Sequence, residues 1–174
     1  MRQVGGVRPQ AGINTKKGST RHLDMEYSSH QVWRERSERV MVTDYYNHDG
    51  EVLSQAEAQK EWVSIGREVL IAVARRRDLT ISYSDFASVI QNESGVRTTK
   101  PLPQWIGGVL DLIGLECASS GEPLLSALCV RRDGSIGQGF ARQYEQVYGA
   151  GGAFGLEDAA YMEQERCWSF EWVV

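Results

Sequence analysis

Apolar residues fall at helical spacing in four stretches of the chain, and cluster or alternate in strand-like fashion between them. The clearest periodicity follows Ser54, where Ala58, Trp62, Ile65, Val69 and Val73 succeed one another at three- and four-residue steps, as on one face of an α-helix. Ser54-Gln55-Ala56-Glu57 in front of it has the form of a capping box, so the pattern predicts a helix from there to about Arg77. Arg75, Arg76 and Arg77 then place positive charge at the negative end of the helix dipole, with ligand binding as the competing use of those arginines.

Further on, Ser84 reads as the N-cap of a short helix that turns Phe86, Val89 and Ile90 inward. A polar loop, "QNESGVRTTKPLP", leads to a second helix whose inner face is Ile106, Val109, Leu110, Ile113 and Cys117, stopped by Gly121 and Pro123. "PLLSALCV" reads as a buried strand, Asp133-Gly134 as its turn and Ile136 as the start of the return strand. Gly137 and Gly139 weaken that return and mark a bulge or the close approach of another backbone or a ligand. Upstream, Arg39 to Tyr46, the turn Asn47-His48-Asp49-Gly50 and Glu51-Val52-Leu53 predict a β-hairpin. At the other end, the link from Gly149 to Gly155 lacks the Lys-Ser/Thr ending of a phosphate loop and reads as a connector. It leads to a last helix with Leu156, Ala160, Glu163 and Cys167 on one face and Ala159, Met162, Arg166 and Phe170 on an adjoining one, anchored by Trp168 and Trp172. The expected fold is α+β: a single winged-helix-like domain with an N-terminal β-hairpin and a C-terminal helix.

Composition adjusts this outline at its ends. A chain of 174 residues with 41% hydrophobic content suits one domain with appendages. Residues 1–22 carry Arg2, Arg8, Lys16, Lys17 and Arg21 and no acid, so of a net charge of −4 they hold +5 and leave −9 to the rest. Rich in glycine and polar residues and without a hydrophobic period, they read as a disordered basic arm. Residues 23–174 are then the globular domain, with a winged-helix-like core over about 54–148. An acidic body gains little from general phosphate attraction, so nucleic-acid contact would need a local patch or the arm. No stretch has the length and apolarity of a membrane span or a signal core, and a soluble cytoplasmic protein is expected. Cys117, Cys129 and Cys167 are far apart and read as buried free thiols.

The order of "ISYSDFA", "WIGGVL" and "ALCVRRDGSIGQGF" resembles the DNA-binding domain of alkylguanine-DNA alkyltransferases and alkyltransferase-like proteins, over about residues 79–142. Members of that family read Thr-Tyr-Gly-Glu-Ile-Ala, then Arg-Ala-Val-Gly-x-Ala-Leu, then Pro-Cys-His-Arg-Val-Val, an Asp-Gly turn and Gly-Gly-Tyr. The resemblance sets Ser82 to Ala87 on the first motif, Gln104 to Leu110 on the second and Leu125 to Val130 on the third. It implies a helix-turn-helix with a wing and contact with DNA. It also sets Ser126 at the family's nucleophilic cysteine, Ala127 at its activating histidine, Leu128 at the following arginine, and Gln104 at the arginine inserted into the base stack. A serine without an adjacent base is a weak nucleophile, so alkyl transfer is not expected, and base extrusion lacks its usual wedge. Cys129 has no histidine near it in sequence and, on strand alternation, faces away from Ser126. The same segments also resemble small bacterial and phage proteins, a likeness that carries no chemistry.

The remaining constellations are sparse. His48, Asp49 and Glu51 lie close enough in sequence to share a divalent metal, although the turn already accounts for them. His22 and His30 could serve Ser126 or a cysteine only through a fold that joins them. Arg131 and Arg132 sit where a wing touches phosphate, and with Arg97, Lys100 and the arm could form one positive face. Trp105, like Trp168 and Trp172, suits a core position as well as a base-stacking one. The first expectation is a non-catalytic nucleic-acid-binding module using Tyr83, Gln104, Trp105, Arg131 and Arg132 on DNA or RNA, with no cofactor. The second is a protein-interaction or accessory factor that meets a partner protein through its acidic body and "WSFEWVV". An enzyme would have to draw on Ser126, Tyr83 or the His48 group.

Overall fold

The computed structural model describes residues 44–149 and 155–172, which hold five α-helices and two two-stranded sheets in an α+β arrangement. The basic arm, His22 and His30, the strand residues Arg39 to Thr43, the middle of the glycine link, and Val173 with Val174 lie outside these residues. Strand β1 (Tyr45–Tyr46) runs antiparallel to β3 (Arg97–Thr98) with Tyr45 opposite Thr98, and β2 (Ile81–Ser82) runs parallel to β4 (Cys129–Val130) with Ile81 opposite Cys129. The expected N-terminal hairpin keeps its turn, with Gly50 at φ 78°. Beyond the turn it is one bridge, Tyr46 to Val52, and the main partner of β1 is the distant β3.

Helix α1 (Gln55–Ala74) starts with both halves of the capping box: the Ser54 hydroxyl accepts the Glu57 amide at 3.2 Å and the Glu57 carboxylate accepts the Ser54 amide at 2.8 Å. Its buried residues include Trp62, Gly66, Leu70 and Ala74, a face rotated from the predicted one. The rotation follows from α2 (Tyr83–Ser94): a β-carbon on Gly66 would stand 2.9 Å from the Phe86 ring, so the bare glycine lets the two helices close. Helix α1 stops at Ala74, short of the predicted end. Arg75 donates to the Trp172 carbonyl at 2.8 Å, tying it to the chain's last described residue, and Arg76 and Arg77 are exposed.

The N-cap of α2 is Ser82, two residues ahead of the expected Ser84; its hydroxyl accepts the Asp85 amide at 3.1 Å. A 3₁₀ turn (Leu102–Gln104) leads into α3 (Ile106–Ser119), whose buried residues are the predicted face plus Gly114. The predicted strand "PLLSALCV" is corrected more strongly. Leu125–Leu128 is a 3₁₀ helix, and only Cys129 and Val130 pair as a strand. β2 supplies two residues of ladder, and the backbone groups before it find partners elsewhere. The predicted return strand is likewise one bridge, Val130 to Ile136, before helix α4 (Gln138–Tyr148) begins. Phe140, Tyr144 and Val147, at steps of four and three, pack as helical residues do against the core.

Helix α5 (Leu156–Ser169) buries Ala159, Ala160, Glu163 and Cys167, while Met162, Arg166 and Phe170 of the predicted adjoining face stay exposed. Trp172 is buried and its indole donates to the Cys167 carbonyl at 2.9 Å, and Trp168 donates to the Leu79 carbonyl at 3.1 Å. Among the described residues no helix is long and apolar enough to cross a membrane.

Candidate functional site

The start of α2, the start of α3, the turn after β4 and the first turns of α4 converge on a cleft of about 550 Å³. Tyr83, Arg131 and Ser126, all singled out by sequence, line it; Asp111, Arg142 and Gln143 join them from helices α3 and α4. A larger groove of about 940 Å³ follows the outer side of α1 toward Leu112 and Glu116 of α3. Of its arginines, Arg75 reaches the Trp172 carbonyl, and Arg67 pairs with Glu122 at 2.8 Å through one terminal nitrogen while the other is buried without a hydrogen-bond partner among the described residues. Tyr83, Ser126 and Arg131 make the smaller cleft the candidate site.

Ser126 is 5% exposed at the back of that cleft, and its hydroxyl donates to the Gln143 side-chain oxygen. The Gln143 amide has one possible orientation. Its nitrogen faces the Leu110 and Asp111 carbonyls at 3.2 and 3.1 Å, and both can only accept. The oxygen is therefore left for Ser126, whose proton goes to a group too weakly basic to take it. Cys129 is fully buried, which pushes its thiol well above the ordinary range, so the thiolate a nucleophile needs is scarce.

The strand that carries Ser126 in the sequence-based picture is instead a 3₁₀ segment clamped by α5. Glu163, 1% exposed, accepts the Leu124 amide at 2.6 Å; Gln164 donates to the Ala127 carbonyl at 2.8 Å; the Cys167 thiol faces the Leu124 carbonyl at 3.5 Å. The second Glu163 oxygen meets Arg166 at 2.8 Å, and Tyr148 donates to the first at 2.9 Å. A carboxylate this deep needs that set of donors.

Around the rim, Tyr83 is half-buried and its hydroxyl lies so close to Gly137 that a β-carbon there would overlap it. That contact is the close approach the glycine suggested, made by a side chain. Burial raises the Tyr83 phenol above its ordinary value, Cys129 adds to the shift and the Gly137 amide opposes it. Burial likewise raises the Asp111 carboxyl, against the pull of Arg142. Arg131 and Arg132 are exposed on a turn closed by the Arg131 amide to the Ser135 carbonyl at 2.8 Å, with Gly134 at φ 83°. Gln104 is exposed at the end of the 3₁₀ turn.

Trp105 is 5% exposed and its ring sits 4.4 Å from that of Trp62, so it belongs to the core and offers no stacking face. His48 lies 3.2 Å from Asp49 while Glu51 turns to the Asn47 amide at 2.8 Å, and among the described residues no three His, Cys, Asp or Glu side chains gather as a metal site would require. Sequence reasoning missed Gln143, Arg142 and Asp111. The helical spacing of Phe140, Tyr144 and Val147 could have revealed α4, but nothing local marks Gln143 as the partner of Ser126. Compared with protein-family models, with curated proteins and with solved structures, the chain matches none of them.

Proposed function

We propose that this is a winged-helix-like module that binds nucleic acid without chemistry. Helices α2 and α3 act as the helix-turn-helix, and the turn at Arg131 to Ser135, bridged at its base by Val130 and Ile136, acts as the wing. The observation that carries it is that Arg131 of the proposed wing and the first turn of α3 border one cleft. The commitment of Ser126 to Gln143 supports binding over transfer, in keeping with the resemblance to alkyltransferase-like proteins. Fluorescence-polarisation titration of the full chain against labelled single- and double-stranded DNA and RNA, at low and moderate salt, tests this. Salt-sensitive binding that weakens in Arg131→Ala/Arg132→Ala, with the salt slope reduced by about 2, supports the wing as a phosphate contact. Equal binding by that variant and the parent removes it.

A partner-protein role is the second reading, and Leu112 and Leu115, 39% and 45% exposed on the outer side of α3, favour it. The buried Trp172 withdraws one of the aromatic residues first assigned to it. Light scattering of the parent and of Leu112→Lys/Leu115→Lys checks it: a mass or co-purification pattern unchanged by the substitution counts against a contact there.

A further inference from the structure

We infer that the cleft is a binding site for a small aromatic anion, a ring carrying one carboxylate or phosphate group. Its volume of about 550 Å³ lies within the range of small-molecule sites. Leu102, Pro103, Ile106 and Phe140 give it an apolar wall, and the half-buried ring of Tyr83 offers surface on which another ring can stack.

The charged groups at its mouth decide the sign of the ligand. Arg131 and Arg142 both line the cleft, and neither guanidinium has a hydrogen-bond or ion-pair partner among the described residues. Helix α4 begins in the same wall, and Gly137 at its N-cap has no side chain to accept from the first amides. Asp111 is the one acid of the lining, and Arg142 acts on it. Tyr83 keeps its proton to a higher pH than an ordinary phenol, so at neutral pH it can donate to an anion. Ser126 and Gln143, closing the back, are satisfied by each other and by the α3 carbonyls, which leaves the anion to the mouth and the ring to the interior.

This site shares the cleft and Arg131 with the nucleic-acid reading but does not depend on it. Isothermal titration of the full chain with phenyl phosphate and with benzoate tests it, with inorganic phosphate and phenol as the separate halves of the ligand. The expected result is saturable binding of at least one aromatic anion, about tenfold or more tighter than either half and weakened about tenfold or more in Arg131→Ala/Arg142→Ala. Which anion binds better tells carboxylate from phosphate. Gly139→Leu is the second variant: a β-carbon at Gly139, which lines the cleft, meets open space, so the substitution fills the site without touching the core. It should abolish binding and keep the parent's circular dichroism. No saturable binding of either anion, or equal binding by Gly139→Leu, overturns the inference. A chain that binds phenyl phosphate but no nucleic acid keeps this site and loses the winged-helix module; the reverse result keeps the module and loses the site.

Discussion

The side-chain amide of Gln143 on α4 lies against Gly114 on α3 so closely that a β-carbon on Gly114 would overlap it. One missing methyl group thus allows the amide to reach the Leu110 and Asp111 carbonyls and, from its other end, to take the Ser126 hydroxyl. Three segments far apart in sequence meet through that contact. It explains why the cleft has a fixed back wall, and why a serine placed where a nucleophile would be looked for is held as a structural residue.

Gly114→Ala should therefore destabilise the fold by about 1–2 kcal/mol, because displacing Gln143 leaves Ser126 without its partner and outweighs the gain in helix propensity. Gly107 is the matched control: it lies in the same helix, with nothing within 4 Å of an added β-carbon. Gly107→Ala should gain about 0.5–1 kcal/mol. Urea midpoints of the two variants moving in opposite directions is the expected result; a gain in both would mean that the Gln143 contact carries no weight.

Ser126→Ala should lower stability by about 1–3 kcal/mol, since the buried Gln143 oxygen then loses its donor. It should leave the binding of nucleic acid to the rim unchanged. An unaltered urea midpoint would show that the Ser126–Gln143 bond is replaceable by water.

Replacing Glu163 tests the clamp on the 3₁₀ segment. Glu163→Ala removes the acceptor of the buried Leu124 amide, the partner of Arg166 and the acceptor of Tyr148. A loss of about 2–4 kcal/mol is expected, while Glu163→Gln, which keeps an amide oxygen in place, should lose less. Calorimetric melting of the two variants would rank them; equal losses would mean that the charge rather than the Leu124 cap is what matters.

How far the sequence carried this picture depends on whether the deciding contact was local. The capping box at Ser54 and Glu57, the Asp-Gly turn and the inner face of α3 are written within one turn or one helix, and they appear where expected. Residues 125–128 were misread because their apolar run suits a buried strand, and what makes them 3₁₀ is a set of partners on α5, some 35 to 40 residues on. Helix α4 was hidden by Gly137 and Gly139, which resemble strand punctuation. Trp105 could not be assigned to core or surface until Trp62 was seen against it. The site followed the same division: Arg131, Tyr83 and Ser126 were visible as residue types in a motif, whereas Gln143 depends on the absence of a side chain in another helix.

The C-terminal aromatic segment gives a further test. Trp172 is 8% exposed, its indole is bonded to the Cys167 carbonyl, and its own carbonyl takes Arg75. Trp172→Ala should cost about 3 kcal/mol or more, as other large core truncations do. Chemical denaturation with tryptophan fluorescence would measure it. A partner-contact residue would instead leave the midpoint in place and change only the assembly.

Alkali should unfold the protein early, and the sign follows from weak acids that folding partly or wholly shields from water. Tyr148, exposed along much of its ring, is raised from 10.0 to about 12, chiefly by the partial burial of its hydroxyl, and full burial raises Cys129 and Cys167 above their ordinary 9.0. Each group holds its proton more tightly folded than unfolded, so the unfolded chain releases protons first as the pH climbs. The stability is then fully present below about pH 9 and is lost as pH rises through the folded-state values. Urea midpoints taken at about pH 8, 9.5 and 10.5 should fall in that order, and Cys129→Ala should flatten the first part of the decline. Tyr148→Phe should flatten the later part, between about pH 10 and 12, at the cost of the hydrogen bond to Glu163. A midpoint that stays level across this range would mean that these groups lose their protons within the folded state, and that the thiols are less shielded than their complete burial implies.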